Sequence, residues 1–218
     1  MGGGTATAGN TLLLFGPQSL SFDKHSFDQL RSTLSERDGY SWILETVAEL
    51  PTYWTVVCRH LPRLQSLNAG KWLADLDHWF KTGAYPDSDS SLPNTLLTPL
   101  VVLAQLTQYF RNIELDTGSR GAAETPVAFS LPQNGSTLGF CTGILSAFAV
   151  SCSATQKDFE KYGAVAVRLA MLIGALVDAQ DESDKIHGRS KSYATAWNTP
   201  EQGSNLTRIL DHFPEVSS

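Results

Sequence analysis

Cys141 stands between two glycines in Leu138-Gly139-Phe140-Cys141-Thr142-Gly143, and an apolar, small-residue run over 144–150 follows at once. This Gly-x-Cys-x-Gly spacing is that of a nucleophile elbow with cysteine in place of serine. The chemistry it suits is covalent acyl transfer. The turn from strand to helix is so tight that a Cβ two residues before or after the nucleophile would meet neighbouring backbone. The nucleophile itself is held in a strained conformation. A helix starting there aims free N–H groups and its positive end at the sulfur, which favours negative charge on the sulfur or on an oxyanion beside it. A buried structural cysteine at a Gly-rich helix start fits the same six residues, and spacing alone does not separate the two readings.

The elements that must position Cys141 come from the rest of the chain. At 218 residues and 23.7 kDa there is enough polypeptide for one good core or two small ones. Hydrophobic residues make up 42% and charged ones 17%, which suits a globular protein. The net charge of −6 has no basic stripe to offset it, which argues against nucleic acid as the main partner. Cys58, Cys141 and Cys152 are too few and too scattered for a disulfide framework, and no metal-ligand spacing occurs. A reducing cytosol is the expected compartment. Residues 1–10 lack a basic start and a long apolar stretch, so they read as a flexible arm and not as a signal peptide. Two segments approach membrane-span length, 137–155 and 164–179; the first is rich in glycine and hydroxyls, the second contains Arg168, and both read as core. No membrane partner is expected.

Thr11-Leu12-Leu13-Leu14-Phe15, ended by Gly16-Pro17, predicts a buried parallel strand. Ser26-Phe27-Asp28-Gln29 resembles a capping box, with Phe27, Leu30 and Leu34 on one helical face. Residues 40–50 and 53–64 predict a helical pair interrupted at Pro51. An amphipathic helix follows at 70–80, a solvated loop at 86–93, and a long, nearly uncharged and therefore buried helix at 94–113. Residues 125–129 fit a short strand, while the Gly, Ser and Pro residues flanking them within 116–136 fit an exposed insertion. Thr155 to Asp158 caps a helix reaching about Asp181, apolar on most sides and so expected to be central. Residues 206–213 predict a last helix.

Four pieces then stand in order: Phe15-Gly16-Pro17-Gln18, the stretch 96–102 around Thr98-Pro99, Gly139-Phe140-Cys141-Thr142-Gly143, and Val167-Arg168-Leu169-Ala170. Together, over residues 11–184, the chain resembles the starter-unit acyl-carrier-protein transacylase domain of fungal non-reducing iterative polyketide synthases. These form a branch of the malonyl-transacylase-like acyltransferases, whose members mostly use serine. The resemblance implies an α/β fold, a hydrolase-like large subdomain with a short parallel sheet and many helices, and a small ferredoxin-like subdomain absent or incomplete. Residues 185–218 would be a linker or the start of that small subdomain.

By the same resemblance Cys141 is the nucleophile, and the backbone N–H groups of Gln18 and Thr142 form the oxyanion hole. Phe140 lies against the substrate. Arg168, 27 residues after Cys141, matches the arginine that binds a substrate carboxylate in malonyl-selective relatives. A buried arginine satisfied by local carbonyls is the other reading of that residue. Pro17 departs from the family pattern by lacking an N–H. The activating histidine is expected beyond Ser218. His25, His60 and His78 sit in helix-surface patterns, while His187 and His212 lack the expected surroundings. The implied reaction takes a starter acyl group from coenzyme A or a donor synthase's carrier to the phosphopantetheine thiol of an acyl carrier protein, with no permanently bound cofactor and no metal. Lys185, Arg189 and Lys191 are the candidate patch for an acidic carrier protein, or simply a solvated face. A cysteine-dependent thioester hydrolase and a non-catalytic docking half-domain are the competing functions.

Overall fold

The computed structural model describes residues 11–17, 22–36, 38–85, 92–118, 135–186 and 199–210. The expected arm at 1–10, most of the loop at 86–93 and the short strand at 125–129 lie outside these residues. The elements run β1 (Thr11–Phe15), α1 (Lys24–Ser35), α2 (Ser41–His60), α3 (Ala69–Thr82), α4 (Asn94–Gly118), β2 (Gly135–Gly139), α5 (Gly143–Ser151), α6 (Gln156–Ile186) and α7 (Pro200–Leu210). Two short 3-10 turns, Asp38–Tyr40 and Pro62–Leu64, flank α2. The described chain is mostly helical around a two-stranded parallel sheet, an α/β arrangement. Thr11 pairs with Gly135, and the register continues to Phe15 opposite Gly139. The chain divides into two compact units, Met1–Glu182 and Ser183–Ser218.

The core of the first unit is aromatic at its centre. Phe159 stacks on Phe110 and meets the edge of Trp42, while Phe27 packs between Phe80 and Tyr85. The expected buried faces of α1 and α4 are found: Phe27, Leu30 and Leu34 are buried, as are Leu96, Leu100, Leu103 and Leu106. Four expectations for the first unit change. The cap of α1 is Asp23, not Ser26: its Oδ1 accepts from the Ser26 N–H at 2.8 Å, and its carbonyl from Phe27 N–H at 3.0 Å. Hydrogen bonding from Ser26 holds the Asp23 carboxyl below the usual carboxylate range. Residues 41–60 form one helix that runs through Pro51. Burial of Val47, Leu50 and Trp54 on both sides of the proline outweighs the missing hydrogen bond, a cost of about 3 kcal/mol.

The third change is in β1, which is covered on one face only. Phe15 is buried and Leu13 packs on the core, whereas Leu12 and Leu14 stand 62% and 61% exposed, as the two-residue strand period requires when helices cover a single side. The fourth is α6. It is long and apolar enough to cross a membrane by length and composition, yet it packs one-sidedly on other helices. Its small residues make the contact. A Cβ on Gly163 would lie 2.6 Å from the Trp42 ring, and one on Gly174 would lie 2.1 Å from the Asn94 carbonyl oxygen. The bulkier row Val165, Leu169, Ile173 and Val177 therefore faces outward. In the second unit, α7 starts at Pro200, six residues before the expected position, with Thr199 Oγ1 accepting from the Gln202 N–H.

Asp178 on α6 caps the start of α4. One carboxylate oxygen accepts from the N–H and side-chain amide of Asn94, and the other from the N–H and hydroxyl of Thr95, at 2.6–3.0 Å. The cap of Thr155 on α6 matches the expected box, with Thr155 and Asp158 bonded reciprocally. Asp178→Ala is expected to destabilise the protein by about 2 kcal/mol, since the charge-assisted bonds from Asn94 and Thr95 at the start of α4 are lost. The melting temperature should fall by about 6 °C.

Candidate active site

The elbow predicted at Cys141 is present as geometry. β2 ends at Gly139, α5 begins at Gly143, and only three residues turn the chain between them. Cys141 has φ of 53°, the one positive φ outside glycine among the described residues. The turn is closed by Gly143 N–H donating to the Phe140 carbonyl at 2.9 Å and Ile144 N–H to the Cys141 carbonyl at 3.1 Å. Both glycines are required by space. A Cβ on Gly139 would lie 2.4 Å from the Gly143 carbonyl oxygen. A Cβ on Gly143 would lie 2.4 Å from the Phe15 oxygen and 2.5 Å from the Gly16 oxygen, so the start of α5 rests directly on the exit of β1. Phe140 N–H donates to the Phe15 carbonyl at 3.0 Å and prolongs the sheet to the residue before the cysteine.

The thiol of Cys141 is free and exposed, which separates it from a buried structural cysteine. Cys152 is also exposed, while Cys58 is partly buried and burial pushes its thiol up. The backbone N–H of Thr142 makes no hydrogen bond among the described residues, and its buried hydroxyl has no partner either. Leu138, Phe140, Ile144 and Phe148 around the elbow are exposed, giving the thiol apolar neighbours in sequence on both sides. A side-chain link that the sequence did not flag ties the parts together. Gln105 on α4 donates from Nε2 to the Gly16 carbonyl at 2.8 Å and accepts at Oε1 from the Ser146 hydroxyl of α5 at 2.6 Å. The signal available was an amide among the apolar residues of a nearly uncharged helix, one of several amides there.

A family model for the starter unit:ACP transacylase in aflatoxin biosynthesis matches residues 13–218. The chain belongs to this transacylase family. It is 49% identical over 208 residues, 95% of the chain, to the non-reducing polyketide synthase pigA of Monascus ruber. Identity is 43% over 212 residues to the 3-methylorcinaldehyde synthase tropA of Talaromyces stipitatus and 42% over 206 residues to the clavatol synthase claF of Penicillium crustosum, covering 95% and 94% of the chain. The chain spans about 8% of the length of each of these relatives.

The remaining predicted residues of this transacylase-family chain fall as follows. Gln18, Arg189 and Lys191 lie outside the described residues, as does the side chain of Lys185 at the end of α6. Arg168 faces α2: its Nη2 is 2.7 Å from Glu49 Oε2 and its guanidinium carbon lies 3.8 Å over the Tyr53 ring, while its buried Nε has no partner. His25, His60 and His78 are exposed on α1, α2 and α3, and no hydrogen bond joins them to Cys141; His187 and His212 lie outside the described residues. A cavity of about 270 Å³ opens beside the β1 exit, lined by Pro17, Phe22, Leu30, Gln105 and Arg111 among others, and Cys141 is not in its wall. No group of three or more metal-ligating side chains occurs among the described residues.

Proposed function

We propose that this chain transfers a starter acyl group from a thioester donor, through an acyl-cysteine on Cys141, to the phosphopantetheine thiol of an acyl carrier protein in polyketide synthesis. The observation that carries the reading is the exposed Cys141 thiol at φ 53°, between two glycines at which a Cβ would lie 2.4 Å from backbone oxygen. A strained cysteine held on a sharp turn costs stability and is kept where chemistry needs it. Within the family, the described part corresponds to the large, hydrolase-like portion of the acyltransferase fold.

Cys141 sulfur attacks the thioester carbonyl, a carbon–sulfur bond forms, and the carbonyl oxygen becomes an oxyanion. The unbonded N–H of Thr142 donates to it, with the N–H of Gln18 as the second donor that the family resemblance supplies. Collapse of the tetrahedral intermediate breaks the bond to the donor sulfur, which leaves as a thiol. The carrier's phosphopantetheine thiol then attacks the acyl-cysteine by the reverse sequence and restores Cys141. The proton acceptor is left to the histidine that the resemblance implies. One thioester replaces another, so neither ATP nor a metal is required, and water must be kept out because hydrolysis runs downhill. Phe140 and Ile144, exposed within three residues of Cys141, and exposed Phe148 further along α5 offer an acyl chain apolar surface.

A carboxylate-binding role for Arg168 requires it to release Glu49, a demand that an acyl group without a carboxylate does not make. The carrier protein is the partner in this scheme, a donor synthase is a second, and Lys185, Arg189 and Lys191 are the cations offered to the carrier. A reducing cytosol keeps the thiol free. Incubating a protein that carries this chain together with the histidine the resemblance implies, a straight-chain acyl-CoA series, acetyl to octanoyl, and a phosphopantetheinylated carrier protein tests the reading. Intact-mass spectrometry should show acyl-carrier product. Free acid in its place would make the chain a hydrolase, and no acyl adduct on either protein would make it a docking module.

A further inference from the structure

Gln105 adds a side-chain link between the exit of β1 and α5, one residue beyond the backbone bond from Phe140 N–H to the Phe15 carbonyl. Its two polar ends meet different partners, the Gly16 carbonyl at 2.8 Å and the Ser146 hydroxyl at 2.6 Å. A carbonyl oxygen only accepts, so the amide nitrogen must face Gly16 and the amide oxygen must face Ser146. That orientation in turn makes the Ser146 hydroxyl the donor. Ser146 is fully buried on the first turns of α5, and Gly16 is the first residue after β1. The Gly16 oxygen also lies 2.5 Å from where a Cβ of Gly143 would be, so a shift of that peptide towards α5 is a shift against the elbow itself.

We propose that Gln105 is a positioning residue for acyl transfer, fixing the Gly16–Pro17 peptide relative to the elbow so that the oxyanion is formed between two held walls. The inference rests on the reading of Cys141 as the acyl-accepting nucleophile. Gln105 touches no reacting atom. It acts through the Gly16 peptide on one side and through α5 on the other. A displacement of even about 1 Å in such a constellation can cost on the order of a hundredfold in rate. The chemistry most sensitive to it passes through an oxyanion. Alkylation of the same sulfur by iodoacetamide forms no oxyanion and should be indifferent to the position of Gly16.

The two reactions on one atom therefore form the test. In the same protein, carrying the implied histidine, Gln105→Glu replaces the donor nitrogen by an oxygen facing the Gly16 oxygen, at almost unchanged volume. Ser146→Ala removes the outer link alone and guards against a Gln105 variant that fails to fold. For Gln105→Glu, Cys141 acylation by the acyl-CoA series is expected to slow by about 10- to 100-fold, in the maximal rate and not in the concentration dependence. Iodoacetamide labelling of Cys141 should stay within about twofold of wild type. Ser146→Ala should show the same split at about three- to tenfold in acylation. Acylation and alkylation falling together, or acylation at the wild-type rate in both variants, would overturn the inference. Failure of wild-type Cys141 to acylate at all would instead overturn the reading of the nucleophile, so the two failures are distinct.

Discussion

Cys141→Ala is expected to lower acyl-enzyme formation from acyl-CoA by about ten-thousand-fold or more, leaving no acyl mass on the chain. No other described thiol is set up to replace it. Cys152 is exposed but ends α5 in a right-handed conformation, and Cys58 lies on α2, partly buried. Loss of a covalent nucleophile costs on the order of a millionfold in well-studied hydrolases, and the residual rate comes from the groups that remain. The strain argument adds a separable expectation. Cys141 holds φ of 53°, which a side chain adopts at a cost and glycine adopts freely. Cys141→Gly should therefore be as inactive as Cys141→Ala yet more stable than it by about 1 kcal/mol, raising the melting temperature by about 3 °C relative to the alanine variant. Equal stability of the two variants would contradict a strained elbow, and acyl loading that persists in both would move the nucleophile elsewhere. Intact-mass spectrometry and thermal denaturation read the two effects independently.

The second large effect belongs to Gly143. Adding one methyl group there brings Cβ to 2.4 Å from the Phe15 oxygen and 2.5 Å from the Gly16 oxygen. Both atoms are backbone, held in place by the Phe140 N–H and the Gln105 amide respectively, so neither can swing aside as a side-chain tip would. The helix must lift off the sheet or the sheet must open. Overpacking of this kind costs about 3 kcal/mol, which for a chain of this length lowers the melting temperature by about 9 °C. Activity should fall further than stability does, because the same movement carries the Thr142 N–H and the Cys141 sulfur away from the β1 exit. Gly139→Ala should behave alike, its Cβ meeting the Gly143 carbonyl oxygen at 2.4 Å. Gly16→Ala is the control: a Cβ there meets nothing within 4 Å among the described residues and leaves the carbonyl that Gln105 holds unchanged, so both melting temperature and acyl loading should stay close to wild type. Gly143→Ala at wild-type stability would show that the elbow has slack.

Several features were legible because they depend on local rules. The elbow is written in three residue types at fixed spacing, since glycine alone fits where backbone passes at van der Waals distance. The buried faces of α1 and α4 follow from helical periodicity, and the cap of α6 from Thr155 and Asp158 three residues apart. Other features failed because they depend on distant partners. Pro51 stops a helix in isolation but not one whose two halves both press Val47, Leu50 and Trp54 into a common core. The apolar rows of α6 are equivalent in sequence. Which of them is buried was decided by Trp42 and Asn94, which come close enough to admit only Gly163 and Gly174.

The sequence by itself determined that a cysteine sits on a bend that only glycine neighbours permit, and that parentage in a transacylase family goes with it. Tertiary structure alone decided that the thiol is exposed, that the Thr142 N–H is left unbonded, and that Gln105 spans from Gly16 to Ser146. The physical reason is range. Steric rules for a turn act over five residues and can be read along the chain, whereas a hydrogen bond between α4, α5 and the exit of β1 exists only once packing has brought three separate segments within 3 Å of one another.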